Sequence, residues 1–493
     1  MKRRKSIAST LLIAELLCIS ACGGAQSAAR PSAAADPPHV AASVAPGVPT
    51  HVQNWLYACA GADQACHEAQ NVGISAAWTA AHVDWNEVYY RSDEDSTAAQ
   101  LAAAGARHIV VYIDPNIAWY CPLPTGYTLS SPDFPENGVN CGTPVAQNLH
   151  AQAGSYAHAY EHQQDGDRLV DHADGLYSNQ AGEPFYIGDP DVQAAFHAVT
   201  LQNRYATDVF EDDGGGVYNC IVGDDGVCDS TYGPARYAPP VCNYSGGYWC
   251  YKYGETAVEW DGQANPQQAY ANDAIALANA SALPVIGNDG LGTDPFDLEW
   301  LAARNVHGAM LEGAWSEHSD TAQWAAKADA MLVYHGLHKF VVEYSSDESR
   351  LYFQIASHWI VYDPVYSIEA LAEINPATRT AGAQDTTFPE ESIVPTEPLV
   401  ATPASNDVMT FQLAPGVFAR EYAACYEDGS PIGYCAAVVN TTGSTADLTG
   451  LAQTYAHVLV QNTAVTWAAG GTPAWTTSVP TSIAPNQGII LAQ

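Results

Sequence analysis

The chain has 493 residues, of which 47% are hydrophobic, and its 54 acidic residues far outnumber its 17 basic residues. The formal net charge of −37 argues against a protein that tracks along nucleic acid, because too few cations are present to neutralise phosphates. The length predicts a large core together with a smaller module rather than one ordinary domain.

The N-terminus has the three parts of an export signal. Residues 2–5 are basic, residues 7–19 are apolar, and residues 19–22 read Ile-Ser-Ala-Cys. The apolar run is shorter than the ~20 residues that a membrane-spanning helix needs, so it fits a signal peptide over residues 1–21. The last four residues resemble the bacterial lipobox, which implies a lipid anchor on Cys22; the alternative is an ordinary secretory signal cut nearby.

The residues that follow predict a tethered protein of the cell envelope. Residues 22–49 are rich in Ala, Ser, Pro and Gly and are typical of a flexible tether. No later segment is apolar enough to span a membrane, so we expect membrane contact only through the anchor. We therefore expect a monomer that faces the periplasm or the cell exterior and has no nucleic-acid partner.

The cysteines also favour an oxidising compartment. Ten remain after Cys18 and Cys22 are set aside, and in sequence order they form five pairs of close neighbours. Sequential pairing is the simplest hypothesis, although sequence alone does not determine connectivity, and a zinc site is the weaker alternative because no CxxC pair occurs. The ten are Cys59, Cys66, Cys121, Cys141, Cys220, Cys228, Cys242, Cys250, Cys425 and Cys435.

Between residues 50 and 390, short apolar runs alternate with helical patterns, which predicts parallel strands joined by right-handed crossovers. Eight candidate strands favour an α/β fold, a closed (β/α)8 TIM barrel; the alternative is an open doubly wound sheet, but no GxGxxG turn follows any strand. Residues 121–180 read as an insertion. The candidate strands are Val52–Ala58, His108–Pro115, Phe185–Gly188, Ala206–Asp212, Pro284–Asn288, Gly308–Trp315, Lys339–Ser345 and Trp359–Tyr366.

The helices predicted between these strands are Ser96–Ala106, Asp191–Gln202, Gln267–Ala280, Pro295–Arg304, Thr321–His335 and Arg350–Ala356. From about residue 400 the helical period disappears, and residues 400–493 predict a small all-β sandwich after a connection over 386–405. Its predicted strands are Val417–Tyr422, Cys435–Asn440, Ala456–Gln461 and Gly488–Ala492.

Polar side chains recur where the candidate strands end. In a parallel barrel the C-terminal ends of the strands form one rim, and catalytic residues lie there. A single acid at a strand end is usually a helix cap, but six strands with polar ends favour a site. These residues are Asp114, Glu211, Asp212, Asp213, Asn288, Asp289, Glu312, Glu343 and Asp363.

Carboxylates next to aromatic side chains suit glycoside hydrolysis. One acid protonates the leaving oxygen, and the other attacks or stabilises the oxocarbenium-like centre. Trp55, Trp315, Tyr344 and Tyr362 are the aromatic residues that we expect to stack on sugar rings in a cleft.

One stretch of sequence resembles a family. Asp189-Pro190-Asp191-Val192, a helix, and then Thr207 to Asp213 are similar to the pattern of largely uncharacterised bacterial glycosidase-like TIM-barrel proteins. Asn288, Met310 to Gly313, Arg420-Glu421-Tyr422 and Val438-Val439-Asn440 also match. Thr207-Asp208 replaces the usual Asp-Gly, Glu211 replaces an apolar residue, and Cys-rich insertions interrupt 215–255.

The resemblance implies a glycosidase with a terminal β-module, and it makes Asp212 the main candidate. By analogy with α-galactosidase-like enzymes, Asp212 would attack or stabilise and Glu312 would protonate the leaving group. The competing assignment makes Glu343 the nucleophile, as in many cellulase-like barrels. The predicted substrate-binding residues are Asp114, Asp213, Asn288, Trp315, Tyr344, Asp363 and Trp55.

Other chemistries lack their motifs. The chain has no G-x-S-x-G elbow, no HExxH zinc pair and no phosphate-binding loop, and Asp224-Asp225-Gly226 with Asp229 falls short of a calcium loop. No cofactor or metal is therefore predicted. The sequence predicts a two-carboxylate glycosidase acting on an extracellular polysaccharide or glycan; the alternative is a non-catalytic carbohydrate-binding or envelope protein with the same fold.

Overall fold

The computed structural model describes residues 50–57, 75–89, 96–120, 144–151, 157–162, 170–171, 181–212, 249–250, 265–288, 293, 295–311, 313–315, 320–345, 350–371, 387–403, 405–460, 467 and 470–493. Among these, no helix is long and apolar enough to cross a membrane.

Eight parallel strands form a barrel, as the sequence predicted. They pair in sequence order, and a parallel bridge between Asn54 and Glu369 joins the last strand to the first. The Glu369 amide N–H also donates to the Gln53 carbonyl (2.9 Å). The strands are β1 (Trp55–Tyr57), β2 (Trp85–Tyr89), β3 (His108–Ile113), β4 (Asp208–Glu211), β5 (Val285–Asn288), β6 (Val306–Leu311), β7 (Phe340–Ser345) and β8 (Ser367–Leu371).

Two of the predicted strands were wrong, and two real ones were missed. Phe185–Gly188 contributes only a bridge from Phe185 to Tyr160, outside the barrel. The missed strands, β2 and β8, each contain a buried glutamate, Glu87 or Glu369, which interrupts the apolar run expected of a barrel strand.

The other wrong strand, Trp359–Tyr366, begins inside a helix. Leu351–Val361 is helical, and every residue of it except Tyr352 is buried. This helix packs between the barrel and the C-terminal sheet, so it is buried on nearly all sides, and its apolar end at Trp359, Ile360 and Val361 resembles the start of a strand.

Helices cover the outside of the barrel. The predicted helices are present, with ends that differ by a few residues, together with two shorter ones that were not predicted, Ala76–His82 and Pro144–Ala151. In the part of the chain that the structure describes, the α-helices are α1 (Ala76–His82), α2 (Ser96–Ala104), α3 (Pro144–Ala151), α4 (Pro190–Gln202), α5 (Pro266–Ala280), α6 (Pro295–Leu301), α7 (Thr321–Gly336) and α8 (Leu351–Val361).

A small antiparallel sheet stands beside the barrel. It is built from segments that follow β3 and β4, and of its strands only Val170–Asp171 lies within the predicted insertion 121–180. Its strands, in order across the sheet, are Ile117–Tyr120, Ala181–Pro184, Val170–Asp171 and Trp249–Cys250.

The C-terminal module is all-β, as predicted. Its main sheet is antiparallel and already includes Ile393–Pro398, inside the segment 386–405 that we expected to be a connection. The strands are β9 (Ile393–Pro398), β10 (Gln412–Ala414), β11 (Val417–Glu427), β12 (Ser430–Asn440), β13 (His457–Val460), β14 (Ala474–Thr476) and β15 (Gln487–Ala492); a two-stranded sheet, Ala446–Asp447 with Ser482–Ile483, lies apart from it.

One face of the main sheet packs directly on α8. A Cβ at Gly488 would lie 2.2 Å from the Tyr352 carbonyl oxygen, so only glycine allows β15 to approach the helix this closely. Arg420 on β11 donates to the Ile360 (3.1 Å) and Tyr362 (2.9 Å) carbonyls at the end of α8. The module is therefore joined to the barrel through buried contacts rather than by its connection alone.

A disulfide links neighbouring strands of this sheet. Cys425 and Cys435 are bonded, with their Cα atoms 6.0 Å apart, which confirms one of the five sequential pairs. The side chains of the other eight paired candidates lie outside the described residues.

The lumen of the barrel is filled in layers by side chains from alternate strands. One buried cluster draws residues from all eight strands. The strand register places the odd-strand layer of Trp55, Val110, Ile286 and Val342 beneath an even-strand layer of Glu87, Phe210, Met310 and Ala370.

The floor of the barrel, at the N-terminal ends of the strands, contains a buried carboxylate. Asp208 lies 3.1 Å from His108 Nδ1 and 3.4 Å from His307 Nδ1, and it accepts a 2.7 Å hydrogen bond from Thr207. Burial alone would raise the pKa of Asp208, but the hydrogen bonds from His108 and His307 outweigh it and lower the pKa to about 2.

Asp208 should therefore stabilise the barrel at neutral pH and lose this effect in acid. A carboxyl whose folded-state pKa is depressed contributes above its unfolded value of 3.8, and the contribution disappears as the pH falls through about 2. We expect Asp208→Asn to cost about 2 kcal/mol of unfolding free energy at pH 7, measured by urea denaturation.

The cost should shrink when the same titration is repeated near pH 3. Asp447→Asn, at an exposed position in the C-terminal module, is the control and should show no such dependence. A cost for Asp208→Asn that is the same at both pH values would contradict this account.

Candidate functional site

The mouth of the barrel lies at the C-terminal ends of the strands. Tyr112, Asn288 and Tyr344, on odd strands, occupy the layer above Glu87 and Phe210. Asp212 follows directly after β4, and its amide N–H continues the sheet by donating to the Ile113 carbonyl (3.0 Å). The backbone therefore fixes the height of Asp212 at the rim.

Two neutral donors orient the Asp212 carboxylate. The Tyr112 hydroxyl donates a short hydrogen bond to Oδ2, and the Asn288 side-chain amide donates to Oδ1 (3.0 Å). Asn116 donates to the Asp212 carbonyl (3.1 Å). Tyr112 on β3 holds one oxygen and Asn288 on β5 holds the other, so the partly exposed carboxylate has a fixed orientation.

Of the predicted site residues, the structure brings Asp212, Asn288 and Tyr344 to this mouth. Tyr344 faces the lumen with Val342 two residues earlier. Asp212 and Asn288 are in hydrogen-bond contact, and Tyr112 is a partner that the sequence did not single out. An alternating pattern in β3 could have indicated Tyr112, because it lies two residues after the lumen residue Val110.

Asp114 and Glu211 lie just beside the mouth. Asp114 follows β3, is buried, and accepts the Asn116 backbone N–H (3.0 Å). Glu211 occupies the position between Phe210 and Asp212 and is 1% exposed. Burial raises the pKa of Glu211 to about 8, and the nearby Asp114 charge adds to the rise.

Glu343 lies in a different environment from the one we expected. Its neighbours Val342 and Tyr344 face the lumen, so Glu343 faces outward, between β7 and the helices. It is 1% exposed, pairs with His358 on α8 (3.0 Å) and accepts the Trp315 indole N–H (2.7 Å). Neither Glu343 nor Trp315 is open to a substrate at the mouth.

Trp55, Asp363 and Tyr362 are also placed away from the predicted cleft. Trp55 is buried in the lumen, where it stacks on Trp85 and meets the edge of Phe210. Asp363 precedes β8 instead of ending a strand, so it lies at the opposite end of the barrel, where it accepts the Val365 N–H (2.8 Å). Both errors follow from the misplaced eighth strand and from treating aromatic residues as exposed.

Glu87 is a lumen carboxylate that the sequence did not reveal. It is 6% exposed on β2 and accepts the Trp55 indole N–H at 2.7 Å. Because the polar composition of Trp85–Tyr89 hid the strand, its lumen residues were not considered. Glu87 lies one layer below Tyr112 and Asn288, beneath the mouth.

Three of the predicted acids, Asp213, Asp289 and Glu312, lie outside the described residues, as does the predicted anchor Cys22. Their proposed roles remain predictions.

One group could hold a metal ion among the residues that the structure describes. Donor atoms of His158, Asp189 and Asp191 all lie within 4.8 Å of one another at the start of α4. His158 Nδ1 contacts Asp189 at 2.8 Å, and Asp189 caps the helix by accepting the Asp191 N–H (2.7 Å). These contacts already account for the arrangement as a helix cap.

Comparison with known proteins gives only distant similarities. No family model matches the chain, and no curated protein matches it. Among solved structures, the sucrose-processing enzyme MutB with bound glucose is 9% identical, with a TM-score of 0.44, 91% of this chain covered and 100% of that one.

The isomaltulose synthase SmuA from Protaminobacter rubrum is 8% identical, with a TM-score of 0.43 and coverage of 90% of this chain and 98% of that one. Similarities at this level do not transfer an activity. The function must therefore be argued from the residues at the mouth of this barrel.

The protonated state of Glu211 gives a test of the described site. The folded protein holds a proton on Glu211 up to about pH 8, whereas the unfolded chain releases it near 4.5, so stability falls as the pH rises through this window. We expect Glu211→Gln to gain on the order of 2 kcal/mol relative to the wild type between pH 5 and pH 8, in urea titrations.

Glu427→Gln serves as the matched control. Glu427 accepts the Trp475 indole N–H (2.8 Å) from a half-buried position in the C-terminal module, far from β4 in sequence. If the two variants show the same change with pH, Glu211 does not carry the buried proton.

Proposed function

We propose that the protein is a glycoside hydrolase in which Asp212 attacks or stabilises the reacting sugar carbon. The observation that carries the proposal is the position of the Asp212 carboxylate at the barrel mouth, held by Tyr112 and Asn288. A carboxylate fixed in this way needs no reorganisation when positive charge develops on a sugar ring, which is the condition for electrostatic stabilisation of the transition state.

In this mechanism Tyr112 and Asn288 would each hold one oxygen of the Asp212 carboxylate. Both donate to the carboxylate as neutral groups, so they orient it without cancelling its negative charge. Tyr344 occupies the same layer as these two donors, and its hydroxyl is buried.

The proposed acid is Glu312. Met310, two residues earlier in the sequence, lines the lumen, which supports a role at the same rim. Glu343 is not retained as the nucleophile, because it faces the helices and is sealed by Trp315 and His358. The substrate class that we propose is a neutral polysaccharide or glycan, because the excess of acidic residues disfavours anionic polymers.

The activity predicts a selective loss in one variant. Asp212→Asn keeps the shape of the side chain but removes its charge and replaces one accepting oxygen by a donating amide, so hydrolysis should fall by at least about a hundredfold. The measurement is product release from a panel of 4-nitrophenyl glycosides and neutral polysaccharides, with thermal melting to establish that the variant is folded.

Asp407→Asn is the matched control, because it makes the same chemical change at a cap in the C-terminal module, where Asp407 accepts the Met409 N–H (2.9 Å). It should retain wild-type rates. Binding of glycans without any hydrolysis by the wild type would instead favour the non-catalytic alternative.

We also propose that the barrel is exported and anchored through Cys22. The Cys425–Cys435 disulfide supports an oxidising compartment, because such bonds rarely persist in the cytosol. An anchor at the end of a tether would let the barrel act on polymers that cannot enter the cell.

Replacement of the anchor residue tests this proposal. In Cys22→Ser the thiol that carries the lipid is lost, so the protein should move from the membrane fraction to the soluble fraction of the producing bacterium. Cys18→Ser, in the same signal segment, is the control and should remain with the membrane. Wild-type protein found only in the soluble fraction would refute the anchor.

A further inference from the structure

Several buried glutamates lie together where the last strand of the barrel meets the first. Glu343, Glu369, Glu390 and Glu391 are each no more than 2% exposed, and with His358 they form what we call the junction cluster. They come from β7, β8, α8 and the turn Pro389–Ser392 that leads into the C-terminal module. The cluster therefore lies where three parts of the structure meet.

One member of the cluster is part of the closing seam itself. Glu369 forms the bridge to Asn54 that brings β8 against β1. The Asn54 side chain donates to Glu391 (3.4 Å), and the Glu391 carbonyl accepts the Val52 N–H (3.0 Å). The seam between the last and first strands thus rests on the same residues as the start of the C-terminal module.

The charges in the cluster do not balance if all the acids are ionised. His358 faces Glu343 and Glu369 and pairs with Glu343 at 3.0 Å. Glu390 accepts a hydrogen bond from the Tyr352 hydroxyl (2.9 Å), and Glu391 accepts the Phe388 N–H (2.6 Å), both from neutral groups. Glu343, Glu369 and Glu391 are all buried and would then share one imidazolium, which is highly unfavourable.

Among the residues that the structure describes, no Lys or Arg side chain pairs with Glu369 or Glu391. Arg420 donates to carbonyl groups and to Thr402 among the described residues, and burial lowers the pKa of His335 to about 4, so its ring is neutral. The other titratable or charged groups that face the cluster or its immediate neighbours are Asp84, Asp363, Tyr362 and Tyr422.

Protonation of the glutamates is the simplest remaining way to reduce the negative charge of the cluster. Burial raises the pKa of Glu369 to about 7, with His358 opposing the rise and the Glu343 and Glu390 charges adding to it. Burial likewise raises the pKa of Glu391 well above its ordinary value, and the Glu369 charge contributes. Burial alone would lower the pKa of His358, but the Glu343 and Glu369 carboxylates raise it.

We propose that protons on the junction cluster act as a lock on the barrel: protonated glutamates keep the β8–β1 seam closed and the C-terminal module seated, and their ionisation opens the seam. This device does not depend on the proposed glycosidase activity. Ionisation would place negative charge beside a seam that is joined by the Asn54–Glu369 bridge and by the hydrogen bond from the Glu369 N–H to the Gln53 carbonyl (2.9 Å), so the seam should open before the rest of the barrel.

The direction of the effect follows from proton linkage. The closed seam binds more protons than the open one between the ordinary glutamate pKa of 4.5 and the raised value of about 7. Rising pH therefore favours opening through this window, and acid favours closure. An exported protein would then be most rigid in mildly acidic surroundings.

Hydrogen exchange of the intact protein at pH 5 and pH 8 tests the lock, with exchange times corrected for the intrinsic effect of pH. We expect the opening equilibrium of peptides covering Asn54–Tyr57 and Ser367–Leu371 to rise at least about tenfold from pH 5 to pH 8. In Glu211→Gln, which lacks the buried carboxyl that makes β4 itself sensitive to pH, peptides covering β4 and β5, on the other side of the barrel, should change much less.

Isosteric variants separate the lock from general instability. Glu369→Gln and Glu391→Gln mimic the protonated side chains, so each should reduce the pH-dependent opening of the seam to less than about threefold. Glu211→Gln, which removes a buried carboxyl on β4, should leave the seam as pH-sensitive as in the wild type.

The proposal fails if the seam follows the rest of the barrel with pH, or if Glu369→Gln retains the full wild-type dependence. Should either of these variants not fold, the comparison between the seam and β4–β5 within Glu211→Gln decides alone. Neither result depends on finding a glycan substrate, so failure of the glycosidase proposal would be seen separately.

Discussion

The alternation of side chains along closed parallel strands governs the chemistry of this protein. Along each strand one side chain points into the lumen and the next points toward the helices. In a closed barrel every strand side chain therefore has one of these two environments. Acids that are one residue apart therefore have different fates. Asp212 reaches the mouth, whereas Glu211 beside it is buried next to Asp114 and keeps its proton.

The same constraint divides the glutamates of the barrel. Glu87 lies in the lumen and is held by Trp55, while Glu343 and Glu369 face outward and are enclosed by α8 and the C-terminal module. The outward acids can remain there only if protons or His358 offset their charge.

The C-terminal module contributes to this second environment. Its main sheet packs on α8 through Gly488, and Arg420 and Tyr422 bond to the carbonyls at the end of that helix. Without the module, α8 would expose an apolar face and the junction cluster would be open to water. The module is therefore a structural part of the barrel wall, which explains why α8 is buried on every side.

The sequence by itself determined the class of fold, most of the helices and the all-β terminal module, and it predicted a site at Asp212 and Asn288, which the structure brings into hydrogen-bond contact. These rest on local patterns, namely apolar runs, caps and a motif, which act over a few residues. Only the tertiary structure decided that Trp85–Tyr89 and Ser367–Leu371 complete the barrel, because each contains a buried glutamate that local sequence does not predict inside a strand. Glu87 accepts the Trp55 indole N–H, and burial raises the pKa of Glu369 to about 7. The tertiary structure also placed Glu343 and Trp315 outside the lumen and Asp363 at the floor end, since the direction of a side chain depends on register and closure, which local sequence does not specify.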